Sequence, residues 1–142
     1  MTRPLYETTQ DLSNEQEFMQ QLESLWGCTS QKIPIKYGVD FCLMMGDVIK
    51  GILEIKCRNN TRLQYPTYML SAHKIITGRN LAQIIGVPFL LAVKWTDSSG
   101  YIDLAKTDSA VFKIGGRFDR NDPDDIEPVA HIPIGEFKTI GG

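Results

Sequence analysis

Apolar residues change their spacing repeatedly along this chain, and each change predicts a different element. Between Ser13 and Gly27, "SNEQEFMQQLESLWG" carries Phe18, Met19, Leu22, Leu25 and Trp26 at helical spacing. At about 100° per residue these side chains centre on Leu22. Ser13 with Gln16 three places on reads as a capping box and Gly27 as a stop, so a helix is expected over 13–27 after an irregular arm over 1–12. Glu15 falls on the inward stripe, one turn before Phe18 and Met19, whereas Glu17 and Glu23 are expected to point away.

Alternation then replaces helical spacing. "QKIPIKY", "VDFCLMM" and "VIKGILEIKCR" predict three antiparallel strands, with Gly46-Asp47 as the hairpin turn between the last two. In the third strand Ile52, Glu54, Lys56 and Arg58 share one face, and Leu53, Ile55 and Cys57 share the other. Two registers are open. A three-residue loop over Gly46 to Val48 sets Asp40 opposite Glu54, whereas a two-residue loop sets it opposite Leu53 and sends the two carboxylates to opposite faces. "RNNTRLQYP" reads as a polar loop, and "TYMLSAHKIITGRNLAQIIG" as mostly helical with a break at Thr77-Gly78. "VPFLLAVKW" is expected as a buried strand and "SSGYIDL" as its hairpin partner. The order is α-β-β-β-α-β. After Ala110, "VFKIGG" and "VAHIPI" predict short strands around the acidic, turn-rich "RFDRNDPDD".

Composition places these elements in one soluble domain. The 142 residues are 42% hydrophobic and 23% charged, enough for a full core around one sheet. We expect a single domain over 1–142, its core spanning about 13–104 and a β-rich extension over 105–142. No apolar run is long enough to span a membrane, and "MTRPLYETTQ" is neither a signal nor a transit sequence, so a cytoplasmic protein without a membrane partner is expected. Cys28, Cys42 and Cys57 form no C-x-x-C pair and read as reduced, buried thiols. Asp119, Asp122, Asp124 and Asp125 lack the spacing of a calcium loop and read as solvated. His73 and His131 have no histidine partner at ligand spacing and are expected to be structural.

A net charge of −2 argues against gripping nucleic acid over the whole surface. The distribution is more informative. Residues 48–80 hold Lys50, Lys56, Arg58, Arg62, Lys74 and Arg79 against Glu54 alone, which suits a local anionic ligand or, more ordinarily, a solvated face. Glu54 and Lys56 on one strand face have the same two readings, the ordinary one being a solvated, cross-paired edge. Asp40 on the neighbouring strand and the inward Glu15 change that balance. Hard divalent ions such as Mg²⁺ take oxygen ligands. Asp40 and Glu54 would supply carboxylates and Ile55 its carbonyl, while Lys56 would activate the attacking water or stabilise charge growing on phosphorus.

At these residues the chain resembles the PD-(D/E)XK nuclease superfamily. Asp40 in "YGVDF" matches the first half of its motif, Glu54 and Lys56 match the second, and Val39 stands where the pattern commonly has Pro. "EQEFMQQLESLWG" is similar to the run that follows a helix-1 glutamate in archaeal-type Holliday-junction resolvases and related phage nucleases. The resemblance implies an α/β, restriction-endonuclease-like fold with a mixed central sheet flanked by helices. It also implies a metal-dependent DNA endonuclease, open to selectivity for Holliday-junction-like DNA and to a phage or mobile-element origin, that uses Mg²⁺ with Mn²⁺ able to substitute. The expected catalytic residues are Asp40, Glu54, Lys56 and Glu15, with Asp40, Glu54, Ile55 and Glu15 at the metal. Arg58, Arg62, Lys74, Tyr68 and Ser71 are candidates for DNA contact. Cutting two opposed strands of branched DNA would require a homodimer. Two alternatives stand beside this reading: a catalytically silent nuclease-fold protein that binds DNA or a protein, and a structural α/β subunit whose charges are merely solvated.

Overall fold

Phe18, Met19 and Leu22 are buried, as their spacing demands, on helix α1 (Thr9–Trp26). The computed structural model describes residues 9–34, 39–107, 111–116 and 126–141. Within them α1 begins a turn ahead of Ser13, so the expected capping box lies inside the helix. The irregular arm is thus corrected for residues 9–12, and its remainder lies outside the described residues. The stripe is also narrower than expected, because Leu25 is 51% exposed. Trp26 closes it instead, edge-on to Tyr101 with ring centroids 5.7 Å apart.

Three strands follow, β1 (Thr29–Lys32), β2 (Phe41–Met45) and β3 (Val48–Cys57), paired antiparallel in turn. The first was expected over 31–37 and is earlier and shorter. Its last rung is Ile33 N–H to the Asp40 carbonyl at 2.8 Å, after which Pro34 has no N–H to continue the ladder; residues 35–38 lie outside the described residues. Met45 pairs with Val48 across Gly46-Asp47, a two-residue turn with Gly46 at φ 62°. Two-residue geometry alone would have set Asp40 against Leu53. A bulge prevents it: Met44 pairs with Ile49 but Leu43 pairs with Gly51, leaving Lys50 as the extra residue. From there Phe41 pairs with Leu53, and the same register carried one place further sets Asp40 beside Glu54. Neither loop length considered from the sequence describes this, since the bulge does the work of the third loop residue.

The segment "TYMLS", expected to be helical, is instead strand β4 (Thr67–Ser71), and helix α2 (Ala72–Ile85) begins only after it. Tyr68 and Leu70 are buried between less buried neighbours, a period of two that suits Thr67 and Tyr68. No break occurs at Thr77-Gly78. A Cβ at Gly78 would stand 2.2 Å from the Phe89 ring, so this glycine allows close helix-on-strand packing.

α2 leads into β5 (Phe89–Lys94), parallel to β3, and β6 (Ser99–Asp103) returns antiparallel. β7 (Val111–Gly116) and β8 (Ile126–Pro133) realise the expected C-terminal strands, and β9 (Lys138–Thr139) closes the far edge. A mixed six-stranded sheet runs β1-β2-β3-β5-β6-β9, beside a three-stranded sheet β4-β8-β7. α1 covers the sheet face that carries Leu53, Ile55 and Ala92. α2 and the smaller sheet cover the face of Ile52, Leu91 and Val93. Ala130, Ile132, Ile134 and Phe137 join that second core, so residues beyond 105 supply buried packing. The acidic run Asp119 to Asp125 lies outside the described residues. Cys28, Cys42 and Cys57 are half-buried rather than buried. His131 Nδ1 sits 3.2 Å from Thr67 Oγ1, linking β8 to β4, whereas His73 is exposed. Among the described residues no helix is long and apolar enough to cross a membrane.

Candidate metal and nucleic-acid site

Glu54 shares its strand face with Ile52 and so points toward α2. It is 0% exposed, an unusual position for a carboxylate. Its pKa is pushed up to about 7, first by burial and then by the charge of Asp40, against the opposing pull of Lys74 and Lys56. Lys74 Nζ donates to both carboxylate oxygens, at 3.3 and 3.2 Å. The half-buried Asp40 sets a second carboxylate beside this buried one, and the Lys74 ammonium is the neutralising partner that Glu54 contacts directly.

Asp40 stands just ahead of β2 and is fixed at both ends. Its main-chain carbonyl receives Ile33 N–H, and its Oδ2 receives Ile55 N–H at 3.1 Å. In a strand the N–H and C=O of one residue leave on the same edge. The Ile55 carbonyl therefore borders Asp40 too, past the point where β2 begins. Lys56 is half-buried and follows Glu54 by two, on the same face. Asp40, Glu54, Ile55 and Lys56 are thus brought together by the Lys50 bulge and the end of β2.

Glu15 stands apart from them. It is half-buried on α1, on the opposite side of the sheet, and lines a groove with Met19, Lys32 and Phe41. Among the described residues no three His, Cys, Asp or Glu side chains converge to hold a metal ion, so Glu15 is not gathered with Asp40 and Glu54. Glu17 is exposed, as expected. Glu23, expected to point away, instead accepts from Ser30 N–H and Oγ at 2.8 and 3.0 Å and ties α1 to β1.

The basic cluster divides by task. The Arg62 guanidinium donates to the carbonyls of Phe137 and Ile134 and to Thr139 Oγ1, and lies 5.5 Å from the Trp95 ring centre. It staples the β3–β4 connection to the C-terminal segment. Arg79 does the same for the segment after β6, through the carbonyls of Leu104 and Thr107. Arg58 is exposed and sits 5.1 Å over the Tyr68 ring. Tyr68 is 5% exposed, with its pKa raised chiefly by burial, and its hydroxyl also feels the charges of Arg58, Glu54 and Asp40. Ser71 occupies the N-cap position of α2 without a side-chain capping bond.

Sequence reasoning named Lys74 but not its carboxylate partner. A signal existed. A lysine in the first turn of a helix opposes the helix dipole and calls for an anion nearby, but that signal requires α2 to start at Ala72, whereas apolar spacing alone carries the helix back through β4.

Residues 1–140 match the sequence profile of a family described as "Phage putative PDDEXK endonuclease". The solved structure of Hjc, a Holliday junction resolvase from the archaeal hyperthermophile Archaeoglobus fulgidus, superposes with a TM-score of 0.60 over 93% of each chain at 14% identity. At that identity the likeness concerns the fold. A comparison with curated protein sequences finds no match.

Proposed function

Since this chain belongs to the phage PDDEXK endonuclease family, we propose that it is a metal-dependent DNA endonuclease, selective for branched or otherwise distorted DNA and working as a homodimer. One observation carries the reading: Asp40, anchored on Ile55 N–H, stands beside a fully buried Glu54 whose pKa is raised first by that burial and then by Asp40. Two carboxylates and a carbonyl at a strand end make a hard-oxygen set that Mg²⁺ or Mn²⁺ fits. The unfavourable pairing of the two carboxylates is what a bound cation relieves.

Asp40, Glu54 and the Ile55 carbonyl would hold the ion, with Glu15 contributing at most through intervening water. Magnesium, when bound, supplies positive charge that polarises the scissile phosphate and makes water more acidic. Lys56 orients the attacking water and stabilises the charge that develops on the phosphate oxygens. Lys74 releases Glu54 and becomes available to the DNA backbone, as does Arg58. Ser71 and Tyr68 line the approach, while the carbonyl bonds of Arg62 leave it a bracing role.

The test is incubation of plasmid, linear, single-stranded and four-way-junction DNA with Mg²⁺, Mn²⁺, Ca²⁺ or EDTA. We expect cutting in Mg²⁺ and Mn²⁺, binding without cutting in Ca²⁺, and neither enhanced binding nor cutting in EDTA. Calcium takes the same oxygens with looser geometry, so it neutralises them without aligning the reaction. Persistent cutting in EDTA would remove the metal from the mechanism. A second reading, a silent nuclease-fold DNA binder, is favoured by the Lys74 bond across both Glu54 oxygens. Binding to DNA with no cutting in any metal would select it.

A further inference from the structure

A recess of about 270 Å³ opens between the end of β3, the loop after it and the smaller sheet, and apart from Arg58, Arg62 and Tyr68 on its wall none of the roles above draws on it. Tyr65 and Met69 line it while 55% and 60% exposed, and Trp95, 3% exposed, is its buried part. Its volume is just below the ~300–1,000 Å³ of pockets for drug-sized ligands, which suits one planar ring system and excludes a base pair. Aromatic and thioether walls bind such rings through their faces, whatever their substituents.

Two polar features point to the same ligand. The Tyr68 hydroxyl is buried and makes no hydrogen bond of ordinary geometry among the described residues, with only the Arg58 guanidinium near enough to pull on it, a state that buried phenols rarely keep. Arg58 also lines the recess, two residues beyond Lys56 on the strand. Tyr68 stands between the recess and the carboxylate site: it lines the recess, and its hydroxyl feels the charges of Glu54 and Asp40.

Resting on the nuclease reading, we propose that this recess receives one unpaired nucleobase adjoining the phosphodiester to be cut. Tyr65 and Met69 flank the ring, Tyr68 hydrogen-bonds its edge, and Arg58 holds the phosphate at the mouth. A paired base has its faces stacked and its edge occupied, so entry requires a nucleotide already out of the helix or easily extruded. The substrate class this selects is DNA with an unpaired nucleotide at the cut: a bulge, a flap, a strained branch point or a single strand.

The experiment uses the full chain in Ca²⁺ with three DNAs: a perfect duplex, a duplex with a single bulged 2-aminopurine, and the same bulge carrying an abasic residue. We expect 2-aminopurine fluorescence to change on binding, and the base-bearing bulge to bind about tenfold tighter than the abasic one, as stacking on an aromatic allows. Tyr65→Ala should erase that preference, and Tyr68→Phe, which keeps the ring, should reduce it. Leu63→Ala, in the same loop but 80% exposed and outside the recess lining, should retain it. Equal affinity for base and abasic bulges, with DNA bound in both, overturns the proposal, as does equal loss in the Leu63 variant. Failure to bind any DNA instead overturns the nuclease reading beneath it.

Discussion

The two faces of the central sheet are built to different standards. On the α1 face Phe18, Met19 and Leu22 close over Leu53, Ile55, Phe41 and Leu43, an apolar layer with no buried charge in it. On the α2 face a larger apolar cluster surrounds Glu54, the one charged residue among the buried ones described, and the Tyr68 hydroxyl makes no hydrogen bond of ordinary geometry among the described residues. Folding alone gives no reason for that second arrangement, because a buried carboxylate and a buried hydroxyl without such a bond each cost stability. Consistency at every level on one face and violations confined to the other are what a binding or reacting site produces.

The largest effect should come from inverting the strain on the α2 face. Asp40→Ala and Glu54→Gln are expected to lower cleavage by at least ~10²-fold, and Lys56→Ala by a similar factor, the scale of a lost electrostatic contribution to a transition state. Glu54→Gln should at the same time raise stability at neutral pH. The sign follows from the carboxyl's pKa, about 7 in the fold against an ordinary 4.5. Between those values the folded chain holds a proton that the unfolded chain has lost, so wild-type stability is full below about pH 4.5 and falls as pH rises through 7. Gln removes that dependence. The gain approaches about 3 kcal/mol above pH 7 and vanishes at the acidic end. Thermal melts of both proteins in EDTA across that range measure it. Equal pH dependence would mean that Glu54 is not strained, and the contrast between the faces would fail.

The opposite response belongs to the α1 face. Leu22→Ala removes a fully buried side chain and should cost about 3 kcal/mol through lost burial and the cavity left behind. Cleavage per folded molecule should stay close to wild type. Urea titration gives the first quantity, and activity scaled to the folded fraction gives the second. A large loss of activity in molecules that remain folded would show that α1 shapes the reacting groups, which its packing on the far face argues against.

Local signals made much of this legible. Helical spacing located α1, Gly46-Asp47 located the hairpin, and the alternation around Glu54 and Lys56 located β3 and the face on which they sit. What escaped depended on partners distant in sequence. β4 is a strand because β8 pairs with it, Met69 against His131, and nothing near residue 69 announces that partner. The Lys50 bulge sets Asp40 beside Glu54, yet bulges follow from sheet twist and packing more than from residue type. Arg62 looked like a phosphate ligand because its carbonyl partners, Ile134 and Phe137, lie in the extension that the motif-bearing core did not explain. Residue types announced the chemistry of the site, but pairing over long distances decided which charges serve it.

The smallest predicted effect addresses the carboxylate on which helix phase and topology disagree. Phase puts Glu15 on the stripe with Phe18, Met19 and Leu22, and the sequence resemblance implied a place for it at the metal. Topology puts α1 on the face away from Glu54, and Glu15 in a groove beside Lys32 and Phe41. If topology governs, Glu15→Gln should raise the Mg²⁺ concentration needed for half-maximal cleavage by only a few fold, because a charge acting through water or across solvent contributes at most about 1 kcal/mol. Glu17→Gln, on the exposed side, should change it less still. Both are measured as Mg²⁺ titrations of cleavage, with thermal melting to establish that the variants fold. A loss for Glu15→Gln as large as that for Asp40→Ala would make Glu15 an inner ligand. In that case α1 would have to bring its first turns around the end of β2 when metal and DNA bind, and the apolar face would also have a part in the chemistry.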